Sequence, residues 1–534
     1  MKEMKAKGVP IMAFGEVNEN MPFMVNDAII EAEELDCIVE DKACNTRLFA
    51  PPYMAVLTTD YMIGLNASSL VRDGGTLQIG IGSLGDACAY ALELRESDNA
   101  IYNEVLADIG AREKWGDLID EIGGTDTFSE GLYGCSEMFV SGFMELMKAN
   151  IVRRPVWDDI GLQRLINDKK VNPQSINADI LDMLLEAGSI NNPLTEANVA
   201  MLGKYGILKG NPTLKGEAIV TADGTHYGNN IEELRAIVGD KLIGGIIMHG
   251  GFFLGCNDFY DDLRSLTPEQ NASINMTSIG FVNHLYGDEA LKLVQRRDFR
   301  MINTCFTATA LGAAVSDQTE DGKMVSGVGG QYNFVSMAHE MPDGRSIMMC
   351  KSSRGSSASN IVWKYGHTTI PRHLRDIFVT EYGVVNVRNM PDKDVIAKML
   401  NISDSRFQQA LMDEAKAAGK LPANYQIPEL YRQNTPQKLE SILNKYRAKD
   451  KFPPFPFGCE LTEQELIIGR ALKVLKAKST GPKVPFLKQV LRALMYTPTA
   501  EVQPFLDRMK GDTLSKVEKG LLAMEVQAVL ASKK

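Results

Sequence analysis

The chain has no paired-cysteine spacing. Its eight cysteines, Cys37, Cys44, Cys88, Cys135, Cys256, Cys305, Cys350 and Cys459, are scattered over 534 residues without a CxxC pair. That excludes a disulfide-stapled scaffold and predicts reduced thiols in a cytoplasm. Histidine is scarce, with six residues and none at a metal-ligand spacing such as HExxH, so no metal site is expected. No apolar run approaches the ~18 residues of a membrane span. The charged start, residues 1–8, lacks the apolar stretch of a signal peptide. Basic residues are in deficit: 57 Lys and Arg stand against 68 Asp and Glu, a net charge of −11. A general nucleic-acid or anionic-membrane binder is thereby excluded, though a local basic pocket is not. Repeats in the 20–50-residue range are also missing, which excludes a solenoid.

What remains is an ordinary globular composition, 44% hydrophobic and 23% charged. The length suits roughly two to four domains. Short apolar runs at 11–14, 37–39 and 53–57 are broken by Pro10, Pro22, Pro51 and Pro52, and read as short strands. Residues 76–79 then read as a strand, 80–85 as a glycine-rich loop and 87–94 as a helix. Residues 104–130 look like a polar excursion. A loop is expected at 131–136, and a helix at 137–148. Residues 151–240, rich in Asn, Asp, Gly and Pro, read as an elaboration with a helix at 176–186 and a strand at 218–220. The α/β alternation resumes at 242, with strands expected at 244–248, 299–306, 324–325, 346–350 and 377–379 and a helix at 289–295. Helices are expected at 392–400 and 405–418. The stretch 452–458, Phe-Pro-Pro-Phe-Pro-Phe-Gly, reads as a stiff linker before amphipathic helices at 462–478, 484–495 and 514–530. Strands alternating with helices favour an α/β fold with a largely parallel sheet covered on both faces.

Four constellations carry chemistry. In Gly80-Ile81-Gly82-Ser83-Leu84-Gly85-Asp86, glycines permit close backbone approach, and the following helix offers free N–H groups to an anion. The same letters fit a dinucleotide fingerprint, with Glu104 at the distance of a ribose contact, or a plain strand-to-helix turn. Glu137 sits among Cys, Met, Phe and Val. Desolvating a carboxylate is costly, so it is a nucleophile, a base, a helix cap or an ion-pair partner. Gly327-Val328-Gly329-Gly330 is a second close-approach loop or a turn between strands. Residues 351–376 hold Lys351, Arg354, Lys364, Arg372 and Arg375 against Asp376, either a phosphate-binding set or a solvated basic face. Cys135 and Ser136 lack a GxSxG elbow, and His249 and His339 are general bases or structural residues.

Taken together, these segments resemble the acetyl-CoA hydrolase/transferase family, the class I CoA-transferases. The family's GDTLQxGIGxxPxAV is GGTLQIGIGSLGDAC here, TEMxSDGxxDL is SEMFVSGFMEL, SGVGGQxDF is SGVGGQYNF, and VTEYGVAxLR is VTEYGVVNVR. Residues 299–312 also match, and the likeness covers most of 70–400. It implies an open, mostly parallel NagB/RpiA-like sheet with an inserted segment and a C-terminal helical appendage. The expected organisation is 1–70 as the remnant of an N-terminal lobe, 71–400 as the catalytic lobe with an insertion at about 151–240, and 401–534 as a helical region. The resemblance places Glu137 on the family's catalytic glutamate, which carries a glutamyl-CoA thioester. It implies that Gly80, Ile81, Gly82, Ser83 and Leu84 line the CoA site, that Asn303 and Gly330 stabilise an oxyanion, and that Ser326, Lys351 and Arg354 contact CoA. It implies acyl-CoA and a small carboxylic acid as substrates, no permanently bound cofactor, and a homodimer.

The departures are Gly85 in place of the loop proline and Val140-Ser141-Gly142 without the motif's acid. Only 79 residues precede Gly80, fewer than the ~100–200 of a full lobe. The expectation is a shortened chain, a lobe supplied by a partner, or a start further upstream. An open acyl pocket would favour hydrolysis, or no turnover at all, over transfer. The competing expectations are an acyl-CoA hydrolase, a dinucleotide-dependent oxidoreductase using residues 80–85, and a non-catalytic CoA-binding protein.

Overall fold

The apolar runs that alternate with helices pair into one eight-stranded sheet. Its strands, in chain order, are β1 (Thr76–Gln78), β2 (Tyr133–Phe139), β3 (Met248–Phe253), β4 (Ile274–Met276), β5 (Phe299–Thr304), β6 (Arg345–Met349), β7 (Ile377–Thr380) and β8 (Gly383–Asn386). The spatial order is β8-β7-β6-β5-β1-β2-β3-β4. All neighbours are parallel except β7 and β8, which pair antiparallel. The chain runs outward from β1 to β4, then returns to lay β5 on the other side of β1. The β1/β5 boundary is therefore the point where strand order reverses, the usual place for a ligand at the C-terminal crest of an open α/β sheet. This computed structural model describes residues 2–481, 483–510 and 513–532. They divide into two compact units, Met1–Phe457 and Gly458–Lys534.

Both faces of the sheet are covered. On one, Leu77 and Ile79 pack with Met62, Ala87, Leu92 and Phe143, contributed by α1 (Thr58–Ser68), α2 (Ser83–Ser97) and α3 (Ser141–Lys148). On the other, Tyr133, Cys135, Phe299 and Met301 pack with Val282, Phe334 and Met337. Those last residues belong to α5 (Ile279–Asn283) and α6 (Gln331–Glu340), which follow α4 (Asn257–Arg264) in the chain. α1 and α2 cross closely at Gly64, where a Cβ would lie 2.5 Å from the carbonyl carbon and oxygen of Ala87. Gly64→Ala is therefore expected to cost about 1–3 kcal/mol by forcing two backbones apart, read as a lower thermal midpoint.

Buried arginines close the N-terminal base of the sheet. Arg300 Nε donates to the carbonyls of Leu70 (3.0 Å) and Ile122 (3.1 Å), and its Nη1 to that of Asp343 (2.9 Å). Arg95 reaches Val71 O and Asp126 O at 2.6 Å each, and Arg154 reaches Gln295 O at 3.0 Å. Each guanidinium satisfies main-chain acceptors that would otherwise be buried unpaired.

Several local expectations are corrected. Residues 104–130, read as a polar insertion or excursion, are part of the main core: helices Asn99–Asp108 and Ala111–Ile122 bury Tyr102, Val105, Leu106 and Ile119. Glu137 is on strand β2, not at the start of a helix, and α3 begins only at Ser141. Residues 324–325 form no strand; Met324 and Val325 are exposed. The first strand near the start is Phe14–Glu16, paired in parallel with Cys37–Val39, and residues 53–57 form none. The stretch after 452 is pinned. Phe452 is buried against Tyr61 and Tyr446, and Val56 N donates to Pro454 O at 2.8 Å. Residues 157–242 hold a cluster of their own around Trp157, Leu181, Leu202 and Leu234. The second unit packs Ile467, Leu506, Leu522 and Val526.

Candidate active site

The crest of β1, β2 and β5 collects the polar groups that the sequence singled out. Thr76 pairs with Tyr133 and Phe299, and Leu77 with Gly134 and Arg300. Extended three residues, that register puts Gly80, Glu137 and Asn303 in one row, on the face of α5 and α6. Ser136 Oγ donates to Ile79 O at 3.1 Å, which holds β1 and β2 in step to that level. Gly82, at φ +109°, turns the chain into α2. At Gly85 an added Cβ would lie 2.0 Å from Gly80 O, so this loop closes too tightly for the proline that the resembling motif carries.

The Glu137 carboxylate is half-buried and forms no ion pair among the described residues. Its Oε2 accepts a short hydrogen bond from Asn283 Nδ2, at the C-terminal end of α5. The second glycine loop closes over it. A Cβ on Gly330 would fall 2.2 Å from Glu137 Oε2, and one on Gly329 3.3 Å from Oε1. Gly329 has φ +54°, which glycine adopts without steric cost. Gly330 is the N-cap of α6, with no side-chain cap, so the partial positive end of that helix faces the carboxylate. Asn303 Nδ2 donates to Gln78 Oε1 at 3.1 Å, and Gln331 Nε2 to Thr304 O at 2.8 Å. The arrangement presents a fixed, partly desolvated carboxylate at an open crest, beside the Asn283 amide and the N-terminus of α6, groups of the kind that nucleophilic and oxyanion chemistry uses.

Gly80 is the third member of the row with Glu137 and Asn303; the other candidates are spread more widely. Gly80 and Ile81 are exposed, and Gly82 lines a cleft to which Glu137 does not contribute. Ser83 and Leu84 are the first residues of α2. Ser326 is exposed, its N donating to Asp317 O at 3.2 Å. Lys351 Nζ lies 2.6 Å from Asp60; Arg372 pairs with Asp392, and Arg375 holds the carbonyls of Leu311 and Met390. Lys351, Arg372 and Arg375 are thus each occupied by a partner within the chain. Arg354 is exposed on a short hairpin with Ala358, without an ion pair among the described residues. His249 is buried, receives or donates a 2.6 Å hydrogen bond with Tyr133 Oη, and is pushed down to about 3 by burial, so it stays neutral. His339 is held to Leu374 O. The Cys135 thiol is pushed up by burial. Glu104 is exposed on a helix beside Lys449, not at the end of a strand where a ribose would meet it. Asn283, Gln78 and Asp86 were not anticipated. Asp86 is 9% exposed and has no hydrogen-bond partner among the described residues; burial alone pushes it up to about 7.

Residues 255–415 match the acetyl-CoA hydrolase/transferase C-terminal domain family. That match includes Asn283, Asn303 and Gly330; Glu137 lies before it. The chain is 23% identical over 409 residues to the 4-hydroxybutyrate coenzyme A transferase of Clostridium kluyveri, covering 76% of this chain and 65% of that protein. It is 24% identical over 171 residues to a probable butyrate:acetyl-CoA coenzyme A-transferase of Syntrophomonas wolfei, covering 31% and 36%. Among solved structures it is similar to RipA from Yersinia pestis (18% identity, TM-score 0.46, 77% of this chain and 63% of that one). It is also similar to 4-hydroxybutyrate CoA-transferase from Porphyromonas gingivalis (18%, 0.42, 76% and 66%). The chain thus spans 65% of the length of the Clostridium kluyveri relative.

Proposed function

With that domain match as its premise, we propose that the protein is a CoA-transferase that moves CoA between an acyl-CoA and a carboxylic acid through Glu137. The observation that carries this reading is the contact of the Glu137 carboxylate with Gly330 and Asn283 at the strand crest beside the order reversal. Glu137 attacks the thioester carbonyl; the C–S bond breaks, giving an acyl-glutamyl anhydride and CoA thiolate. The thiolate then attacks the glutamyl carbonyl, forming a glutamyl-CoA thioester and releasing the first acid as carboxylate. An incoming carboxylate reverses the two steps and leaves as the new acyl-CoA. A carboxylate is a weak nucleophile, so partial desolvation and the binding energy of CoA must raise its reactivity. Backbone N–H groups at Gly330 and the Asn303 amide are assigned to the developing oxyanion, and exposed Arg354 to a CoA phosphate.

The second reading is hydrolysis, with water replacing the acceptor acid. It is favoured by the exposure of Gly80, Ile81 and residues 326–329 around the site. Intact-protein mass spectrometry tests the covalent step. Acetyl-CoA followed by borohydride is expected to reduce the glutamyl thioester and shift the wild-type mass, with no shift in Glu137→Gln. An unshifted wild type with acetyl-CoA and longer acyl-CoAs overturns the Glu137 assignment. Turnover without an added acid selects hydrolysis.

A further inference from the structure

The charge deficit that excludes a general anionic-membrane binder does not hold in the second compact unit. Residues 458–534 carry 13 Lys and Arg against 8 Asp and Glu. A basic part of an acidic chain calls for an anionic partner of its own. Within that unit, α7 (Lys483–Met495) packs on α8 (Lys516–Ser532). The inward face of α7 is fixed: Ala493 is buried, Gln489 Nε2 donates to Glu525 Oε1, and a Cβ on Gly520 would fall 2.1 Å from Ala493 O. A different face of the same helix is apolar and open. Val484, Leu487, Leu491, Leu494 and Met495 are 38–81% exposed. At 3.6 residues per turn they share an arc of about 100°. Lys488 and Arg492 fall beyond one border of that arc, and Lys483 beyond the other. All three cations are exposed and form no ion pair among the described residues, and α7 contains no Asp or Glu.

We propose that α7 docks on the surface of an anionic lipid bilayer, with its aliphatic stripe in the acyl boundary and Lys483, Lys488 and Arg492 at the lipid phosphates. Charge selects the occupant, because both borders of the stripe are basic. A second copy is disfavoured: isologous pairing of α7 would set its cations against the same cations. The residue types disfavour a protein partner. Interface anchors are rich in Trp and Tyr and poor in Leu and Val, and this stripe holds no aromatic residue. A fluid bilayer accepts a convex row of leucines without a shaped pocket. The 13 residues of α7 span about 20 Å, less than the hydrocarbon core, and its inward face is taken by α8, so the helix lies along the surface. The proposal does not rest on the reaction assigned to Glu137.

The test is co-sedimentation of the full chain with vesicles of phosphatidylcholine containing about one-third phosphatidylglycerol, and with vesicles of phosphatidylcholine alone. At about 0.1 M salt, where screening is moderate, binding to the anionic vesicles is expected to exceed binding to the neutral ones by about tenfold or more. Leu487→Gln combined with Leu491→Gln is expected to lower binding to the anionic vesicles by about tenfold or more, because two apolar side chains no longer enter the acyl boundary. Lys488→Gln combined with Arg492→Gln is expected to abolish most of the preference for anionic lipid. All four side chains are exposed, so both variants are expected to fold, with the wild-type thermal midpoint as the check. The wild-type comparison stands even if a variant fails to fold. Equal binding to both vesicle types, binding to neither, or variants that sediment as wild type overturns the proposal. A dimer in lipid-free buffer that Leu487→Gln with Leu491→Gln dissociates, without sedimentation of the wild type, would also overturn it and assign the stripe to a second copy.

Discussion

Gly330→Ala is expected to lower kcat/KM for CoA transfer by about a hundredfold or more while the protein still folds. The added methyl would sit 2.2 Å from Glu137 Oε2 and 2.7 Å from Asn283 Nδ2. Either the carboxylate or the loop must move by about an ångström, and displacements of that size at reacting atoms carry penalties of this order. The change lies at the crest, outside the packed faces of the sheet, so the thermal midpoint is expected to move by only a few degrees. Gly329→Ala meets Oε1 at 3.3 Å at a positive φ, and is expected to trade a smaller kinetic loss for backbone strain of about 1 kcal/mol. Pre-steady-state rates of thioester formation in both variants check the ordering. Equal rates in Gly330→Ala and wild type would separate the second glycine loop from the chemistry.

Glu137→Gln carries the larger effect. An amide neither attacks a thioester nor forms an anhydride, so transfer and hydrolysis are both expected to fall by about 10⁴ or more, equivalent to about 5.5 kcal/mol of barrier. The isosteric amide keeps the volume between Asn283 and Gly330, so folding is expected to persist. The measurement is acyl exchange between labelled acid and acyl-CoA, alongside release of free thiol in the absence of acid. Retention of either activity within tenfold would place the nucleophile elsewhere.

Much of the architecture is legible in the residues because the signals are local. Gly80 to Gly85 announce the turn from β1 into α2, and the apolar runs at 299–304, 345–349 and 377–380 are buried strands, as β-rich segments covered on both faces read. The misread at Glu137 has a physical cause. Apolar residues continue through Phe139, Val140, Phe143 and Met144 at spacings that suit a helix, while the break at Val140, with φ −112° and ψ 165°, needs no glycine or proline. Helices 99–108 and 111–122 were hidden because each buries a narrow stripe in a polar sequence. The neighbours of the site are not local at all. Asn283 reaches Glu137 across 146 residues, and Gln78 reaches Asn303 across 225. Nothing near either residue in the chain signals its partner; the parallel register of β1 and β5 brings Gln78 to Asn303, and the packing of α5 on the sheet brings Asn283 to Glu137. Asp86 lay inside a glycine-loop motif that was read for its backbone, and only its burial separates it from a solvated first-turn acid.

The arginines at the base of the sheet have an evolutionary consequence. Arg154 and Arg300 fasten the N-terminal ends of β1 and β5, and Arg95 the segments that lead into β1 and β2, largely to carbonyl oxygens, and every amino acid supplies a carbonyl. Their partners can therefore drift in identity without loosening the base, provided the guanidinium groups remain. Mutational tolerance is then unevenly spread. The clamps are indifferent to what they hold, so lineages can rewrite the loops at the opposite crest on an unchanged foundation.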